Sequence, residues 1–99
     1  MVRTKDARRS ARQRVDGRVS ATWDDGQGHA VTTRGRVRDL SGAGMGIDVM
    51  DPIPRGSLVS LRVQPMGWNR GGLVRHCTRT GARYLVGIEA SEFTWFRYS

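Results

Sequence analysis

The sequence predicts a small all-β domain on three observations. Apolar residues recur with a period of two in several short segments, Gly- and Pro-rich turns separate those segments, and no segment carries convincing helical periodicity. The 13 glycines in 99 residues supply many turns, while 37% hydrophobic and 26% charged residues give too apolar a profile for a disordered chain. A chain of this length is expected to form one domain around one modest core. Six short strands so spaced fold as a small antiparallel barrel or sandwich.

Residues 1–14 are polar, show no strand pattern and form the predicted basic N-terminal arm. They hold Arg3, Lys5, Arg8, Arg9, Arg12 and Arg14 against Asp6, so +5 of the net +8 lies there. The first strand begins at Val15, where Val15, Gly17, Val19, Ala21 and Trp23 alternate with polar residues. Asp24 to His29 reads as a hairpin turn. The return strand sets Val31, Thr33, Gly35 and Val37 on one face and Arg34, Arg36 and Arg38 on the other, ending at Asp39-Leu40-Ser41.

Gly42 to Gly46 reads as a Gly-rich bend leading into Ile47 and Val49, and Asp51-Pro52-Ile53-Pro54-Arg55-Gly56 as a breaker. Val59, Leu61 and Val63 form a further strand, stopped near Pro65. Gly67 to Gly72 reads as a loop, Leu73 to Cys77 as a short strand of ambiguous phase, and Tyr84, Val86, Ile88 and Ala90 as a clean strand. The barrel is therefore placed at 15–90. Residues 91–99 form an aromatic tail with Phe93, Trp95, Phe96 and Tyr98, either a strand end or a short helix across a barrel mouth.

Composition narrows the function classes. Sixteen of the 17 cations are arginine, the side chain that grips phosphate bidentately, stacks on flat rings and pairs with the guanine edge. Cys77 is the sole cysteine, which fits a reducing cytoplasm. No apolar run follows the basic N-terminus or approaches the ~20 residues of a membrane span, so a soluble cytoplasmic protein without membrane insertion is expected. His29, His76 and Cys77 are too few and too scattered for a zinc site. Gly42, Gly44 and Gly46 lack the spacing and the following helix of a dinucleotide loop, and Ser41 lacks a nucleophile elbow. Neither an enzyme nor a bound cofactor is expected.

Three features follow in order: an RxxxR arm, Arg8-Arg9-Ser10-Ala11-Arg12, before the first strand; a D-x-S-x-x-G motif, Asp39-Leu40-Ser41-Gly42-Ala43-Gly44, ending the second; and a closing strand Tyr84-Leu85-Val86-Gly87-Ile88-Glu89. Together they resemble the bacterial PilZ family. The resemblance implies a six-stranded antiparallel barrel, split and Greek-key-like, with a flexible basic arm, acting as a receptor for the second messenger cyclic di-GMP. It also implies that Arg8, Arg9, Arg12, Asp39, Ser41, Gly42 and Gly44 line one site outside the barrel. Arg8 and Arg12 fit the arm motif best, with Arg9 and Arg14 offering an alternative register.

The residue types suit that ligand. Guanidinium groups bond guanine O6 and N7, stack on the base or fork onto phosphate. Asp39 offers an acceptor to guanine N1–H and N2–H, an edge adenine lacks, and Ser41 offers a hydroxyl. Gly42 leaves backbone space, and Gly44 is expected either at positive φ or where any Cβ would block the ligand. A one-domain receptor has no output module of its own, so an effector protein is the second expected partner. Two rival readings stand beside it. One is a basic barrel binding RNA or single-stranded DNA through Arg34, Arg36 and Arg38 with Trp23, Trp68 or Trp95 as stacking platforms, although nucleic acid is not the expected partner. The other is a PilZ-like protein-interaction adaptor that binds no nucleotide.

Overall fold

The computed structural model describes residues 17–65 and 67–90, so Arg8, Arg9, Arg12, the predicted strand start at Val15 and the aromatic tail lie outside the described residues. Six antiparallel strands close into a barrel: β1 (Arg18–Asp24), β2 (Ala30–Ser41), β3 (Gly44–Val49), β4 (Leu58–Gln64), β5 (Trp68–Thr80) and β6 (Arg83–Ala90). Their order around the barrel is β1-β2-β3-β6-β5-β4, with β4 pairing back onto β1.

The period-two residues fill the interior as their alternation requires. Val19, Ala21 and Trp23 of β1 meet Val37 of β2, Ile47 and Val49 of β3, Val59, Leu61 and Val63 of β4, and Val86 and Ile88 of β6, all buried. Each such aliphatic side chain contributes about 1.5–3 kcal/mol by leaving water. Because β3 borders β2 and β6 while β4 borders β1 and β5, residues 50–57 must cross a barrel mouth. Ile53 plugs it, 1% exposed. The crossover is pinned where Thr33 Oγ1 donates to Asp51 Oδ2 at 2.9 Å and accepts the Asp51 N–H at 3.1 Å. What reads as a breaker in sequence thus also completes the core.

Two segments differ from the sequence reading. The expected loop at Gly67–Gly72 is largely strand, because Trp68–Leu73 pairs residue for residue with Val63–Leu58 of β4. The partner strand imposes extended backbone on residues of weak strand propensity. The expected bend at Gly42–Gly46 shrinks to Gly42-Ala43, and Gly44 already pairs with Ser41 behind it and with Glu89 of β6 beside it.

Antiparallel alternation gives the barrel two distinct ends. One carries the β1–β2 turn, the crossover and the β5–β6 turn. The other carries the Gly42-Ala43 turn together with the points where the chain joins and leaves the barrel. Val37 N–H donates to Gly17 C=O, and Ala90 N–H donates to Ala43 C=O, each at 2.9 Å.

Candidate functional site

Strict alternation from Val37 would turn Asp39 inward. A bulge between Val37 and Asp39 prevents this: Val37 pairs with Ile47, Asp39 pairs with Gly46, and Arg38 is the extra residue. Asp39 therefore reaches the outer face. A second bulge lies in β5, where Val74 pairs with Ile88, His76 with Gly87, and Arg75 is the extra residue. That shift accounts for the ambiguous phase of Leu73–Cys77. It turns His76 outward while Cys77 packs against the core.

The two bulges face each other across a shallow trough. Asp39, Gly46, Gly87 and His76 form one continuous row of cross-strand partners through β2, β3, β6 and β5. At the two central positions the flanking side chains leave little or no room for anything larger than glycine. A Cβ at Gly46 would stand 3.0 Å from Asp39 Oδ1, and a Cβ at Gly87 would run into the His76 imidazole. The carboxylate and the ring therefore lean in from opposite walls over a floor of bare backbone.

The resulting cleft encloses about 450 Å³, and Arg38, Asp39, Ser41, Gly44, Arg75 and His76 line it. Three of the sequence-predicted residues, Asp39, Ser41 and Gly44, thus meet in one place. Gly42 sits at the exposed tip of the adjoining turn and does not line the cleft. Ser41 Oγ accepts the Ala43 N–H at 3.3 Å, which leaves the hydroxyl hydrogen to donate outward. Gly44 takes no positive φ. A Cβ there would strike the Ile88 carbonyl oxygen, so close approach of β6 explains this glycine.

Sequence reasoning missed the far wall, Arg75, His76 and Gly87. Arg75 Nε lies 3.4 Å from Glu89 Oε1 with both side chains more than half exposed, a contact that holds the guanidinium only loosely. Arg38 is exposed at the mouth of the opposite wall. The cleft therefore offers two bulge-borne guanidiniums, the carboxylate of Asp39 and that of Glu89 beside Arg75, an imidazole and a hydroxyl around a flat floor. That set suits an anionic ligand with a planar, hydrogen-bonding base.

The PilZ domain family model matches residues 6–94. The chain belongs to the PilZ domain family. PilZ domains are binding and adaptor domains, not an enzyme family. No curated protein matches this chain. The matched PilZ segment takes in the whole barrel and most of the basic arm, so Arg8, Arg9 and Arg12 lie within it even though their positions are outside the described residues. No helix among the described residues is long and apolar enough to cross a membrane.

Proposed function

We propose that this PilZ domain is a cyclic di-GMP receptor and adaptor whose ligand occupies the cleft between Asp39 and His76 and orders the basic N-terminal arm against the barrel. The observation that carries this reading is the hydrogen bond from Val37 N–H to Gly17 C=O, because it brings the root of the arm beside β2, two residues from Asp39. Arg12 stands five residues before Gly17, an extended reach of about 17 Å, and neighbouring strands are only about 4.8 Å apart. The arm thus has the length to bring guanidiniums over the cleft.

The parts divide by chemistry. Asp39 accepts the guanine N1–H and N2–H edge, and the bare floor at Gly44, Gly46 and Gly87 lets a flat base approach the backbone. Ser41 donates to a base or phosphate oxygen, and Gly42 leaves the turn open. Arg8, Arg9 and Arg12 bind phosphate or stack on guanine from above. A volume of about 450 Å³ falls in the usual range of small-ligand sites. The rival nucleic-acid reading keeps its arginines but loses platforms: Trp23 is in the core at 7% exposure, and half-buried Trp68 carries the Arg70 guanidinium 4.9 Å from its ring centroid.

The arm carries +5, so self-repulsion and ordering entropy oppose its docking until the two negative charges of the ligand phosphates offset part of that repulsion. Limited trypsin digestion tests this coupling. Cleavage after Arg8, Arg9, Arg12 and Arg14 is expected to be fast in the free protein and strongly slowed at saturating cyclic di-GMP, while barrel sites change little. Equal arm cleavage with bound ligand present would rule the mechanism out.

A further inference from the structure

The barrel wall is open along part of β5. β4 covers β5 only over Trp68–Leu73. The last backbone bonds on that side run from Val74 N–H to Ser57 C=O and from Gly56 N–H to Val74 C=O. Beyond Val74 the strand continues to Thr80, with β6 as its sole strand partner among the described residues. The two-residue turn Gly81-Ala82 closes on the Thr80–Arg83 pair, and in such a hairpin the closing pair exchanges its hydrogen bonds. Counting back in twos, the N–H and C=O of Arg79 and of Cys77 face away from β6. Four backbone groups thus stand on a sheet edge that no strand among the described residues covers.

A second cleft, of about 490 Å³, lies between that edge and the crossover. Tyr84, Pro52 and Pro54, with the buried Ile53 beneath, give it an apolar lining, Arg55 and Arg79 give it charge, and no carboxylate among the described residues lines it. Arg79 commits its Nε to Gly81 C=O at 3.1 Å, which leaves the terminal guanidinium nitrogens facing outward. The crossover cannot supply a full ladder to this edge, since Pro52 and Pro54 carry no N–H. Sheets usually blunt or cover an edge of this kind.

We propose that this groove docks an acidic, extended segment of a partner protein, which adds as a short strand to the Cys77–Thr80 edge. The backbone groups of Cys77 and Arg79 bind its main chain. Arg79 and Tyr84 are cross-strand partners and project from one face, so every second side chain of the added strand meets Tyr84, Pro52 and Pro54 together with Arg55 and Arg79, and the fitting segment mixes apolar residues with Asp or Glu at those groove-facing positions. Charge selects the occupant. A second copy of this chain carries +8, and its own arm carries +5, so both meet Arg55 and Arg79 with like charge. His76 lines this groove as well as the first cleft, which gives the nucleotide and partner sites a common wall. The docking itself does not depend on nucleotide binding.

The test uses the isotope-labelled full chain and a capped seven-residue synthetic peptide with Thr at every odd position and Glu, Val and Glu in turn between them, so that Glu and Val share the groove-facing side. Resonance shifts are expected at Ile53, Arg55 and Cys77–Thr80, with slowed amide exchange at Cys77 and Arg79 and affinity that falls as salt rises. Arg55→Glu combined with Arg79→Glu, two exposed positions, is expected to weaken binding about tenfold or more with unfolding temperature retained. The same peptide N-methylated at alternate residues is expected not to bind, which separates strand addition from charge alone. Absence of binding at millimolar peptide, equal binding of the peptide with Lys in place of each Glu, or unaltered affinity in the double variant would overturn the proposal. If the chain's own C-terminal residues hold the groove, the peptide fails to bind and the proposal falls with it.

Discussion

The carboxylate of Asp39 lies over Gly46, its cross-strand partner, so closely that a methyl group at Gly46 would stand 3.0 Å from Oδ1. One strand sets the acceptor and the next leaves room for it.

That relationship separates two glycine substitutions. Gly46→Ala meets only a side chain, which yields by a few tenths of an ångström, so the fold is expected to survive while Asp39 shifts and cyclic di-GMP affinity drops. Gly44→Ala meets the Ile88 backbone oxygen, which cannot yield without moving β6. A loss of about 1–3 kcal/mol in stability is expected from that overpacking. Thermal unfolding and ligand titration of the two variants check both outcomes. Equal stability loss in the pair would contradict the distinction.

Arg12 and Asp39 are expected to fail differently. Arg12→Ala removes charge-assisted bonds of about 1.5–3 kcal/mol, roughly ten- to a hundredfold in Kd, and flattens the salt dependence of binding. Asp39→Ala is expected to erode discrimination between cyclic di-GMP and cyclic di-AMP, because it removes the acceptor for the guanine edge. Titrations of each variant with both nucleotides at two salt concentrations measure the difference. Unchanged selectivity in Asp39→Ala would remove Asp39 from the site.

Most of the barrel was legible because β1, β4 and β6 each carry an unbroken period of two, and β2 carries one up to Val37. The β5 segment Trp68–Gly72 was not, since Asn69, Arg70 and two glycines become extended only through pairing with β4. Glycine misled at β3 for a related reason. Gly44 and Gly46 look like turn residues, yet they are fixed by the approach of β6 and by the Asp39 carboxylate. The Asp39–Gly44 half of the cleft was readable as a motif. Its other half depends on the bulge at Arg75, which no periodicity announces and which alone turns His76 to the outside.

The β1–β2 turn carries a pH dependence of its own. Asp25 accepts the Gln27 N–H at 2.7 Å and the His29 N–H at 3.2 Å, and its Oδ2 lies 3.3 Å from His29 Nδ1. The Gln27 N–H, followed by the His29 contacts, holds its carboxyl below the ordinary carboxylate value. A depressed folded-state value means the turn's stabilisation is fully present above the ordinary carboxylate range and is lost as pH falls through the lowered one. A chemical-shift titration of Asp25 is expected to show a midpoint below that range, with the Gln27 amide shifting in step. A midpoint at or above the ordinary value would show that these bonds do not favour the ionised form.

The central claim is that the cleft between Asp39 and His76 selects cyclic di-GMP, and one calorimetric experiment tests it most directly. The protein is titrated with cyclic di-GMP and, separately, with cyclic di-AMP, and the first titration is repeated on Gly46→Ala. Saturable heat with cyclic di-GMP, little or none with cyclic di-AMP, and weakened binding in the variant are the predicted results. No heat with cyclic di-GMP, or equal affinity for the two nucleotides, would contradict the account.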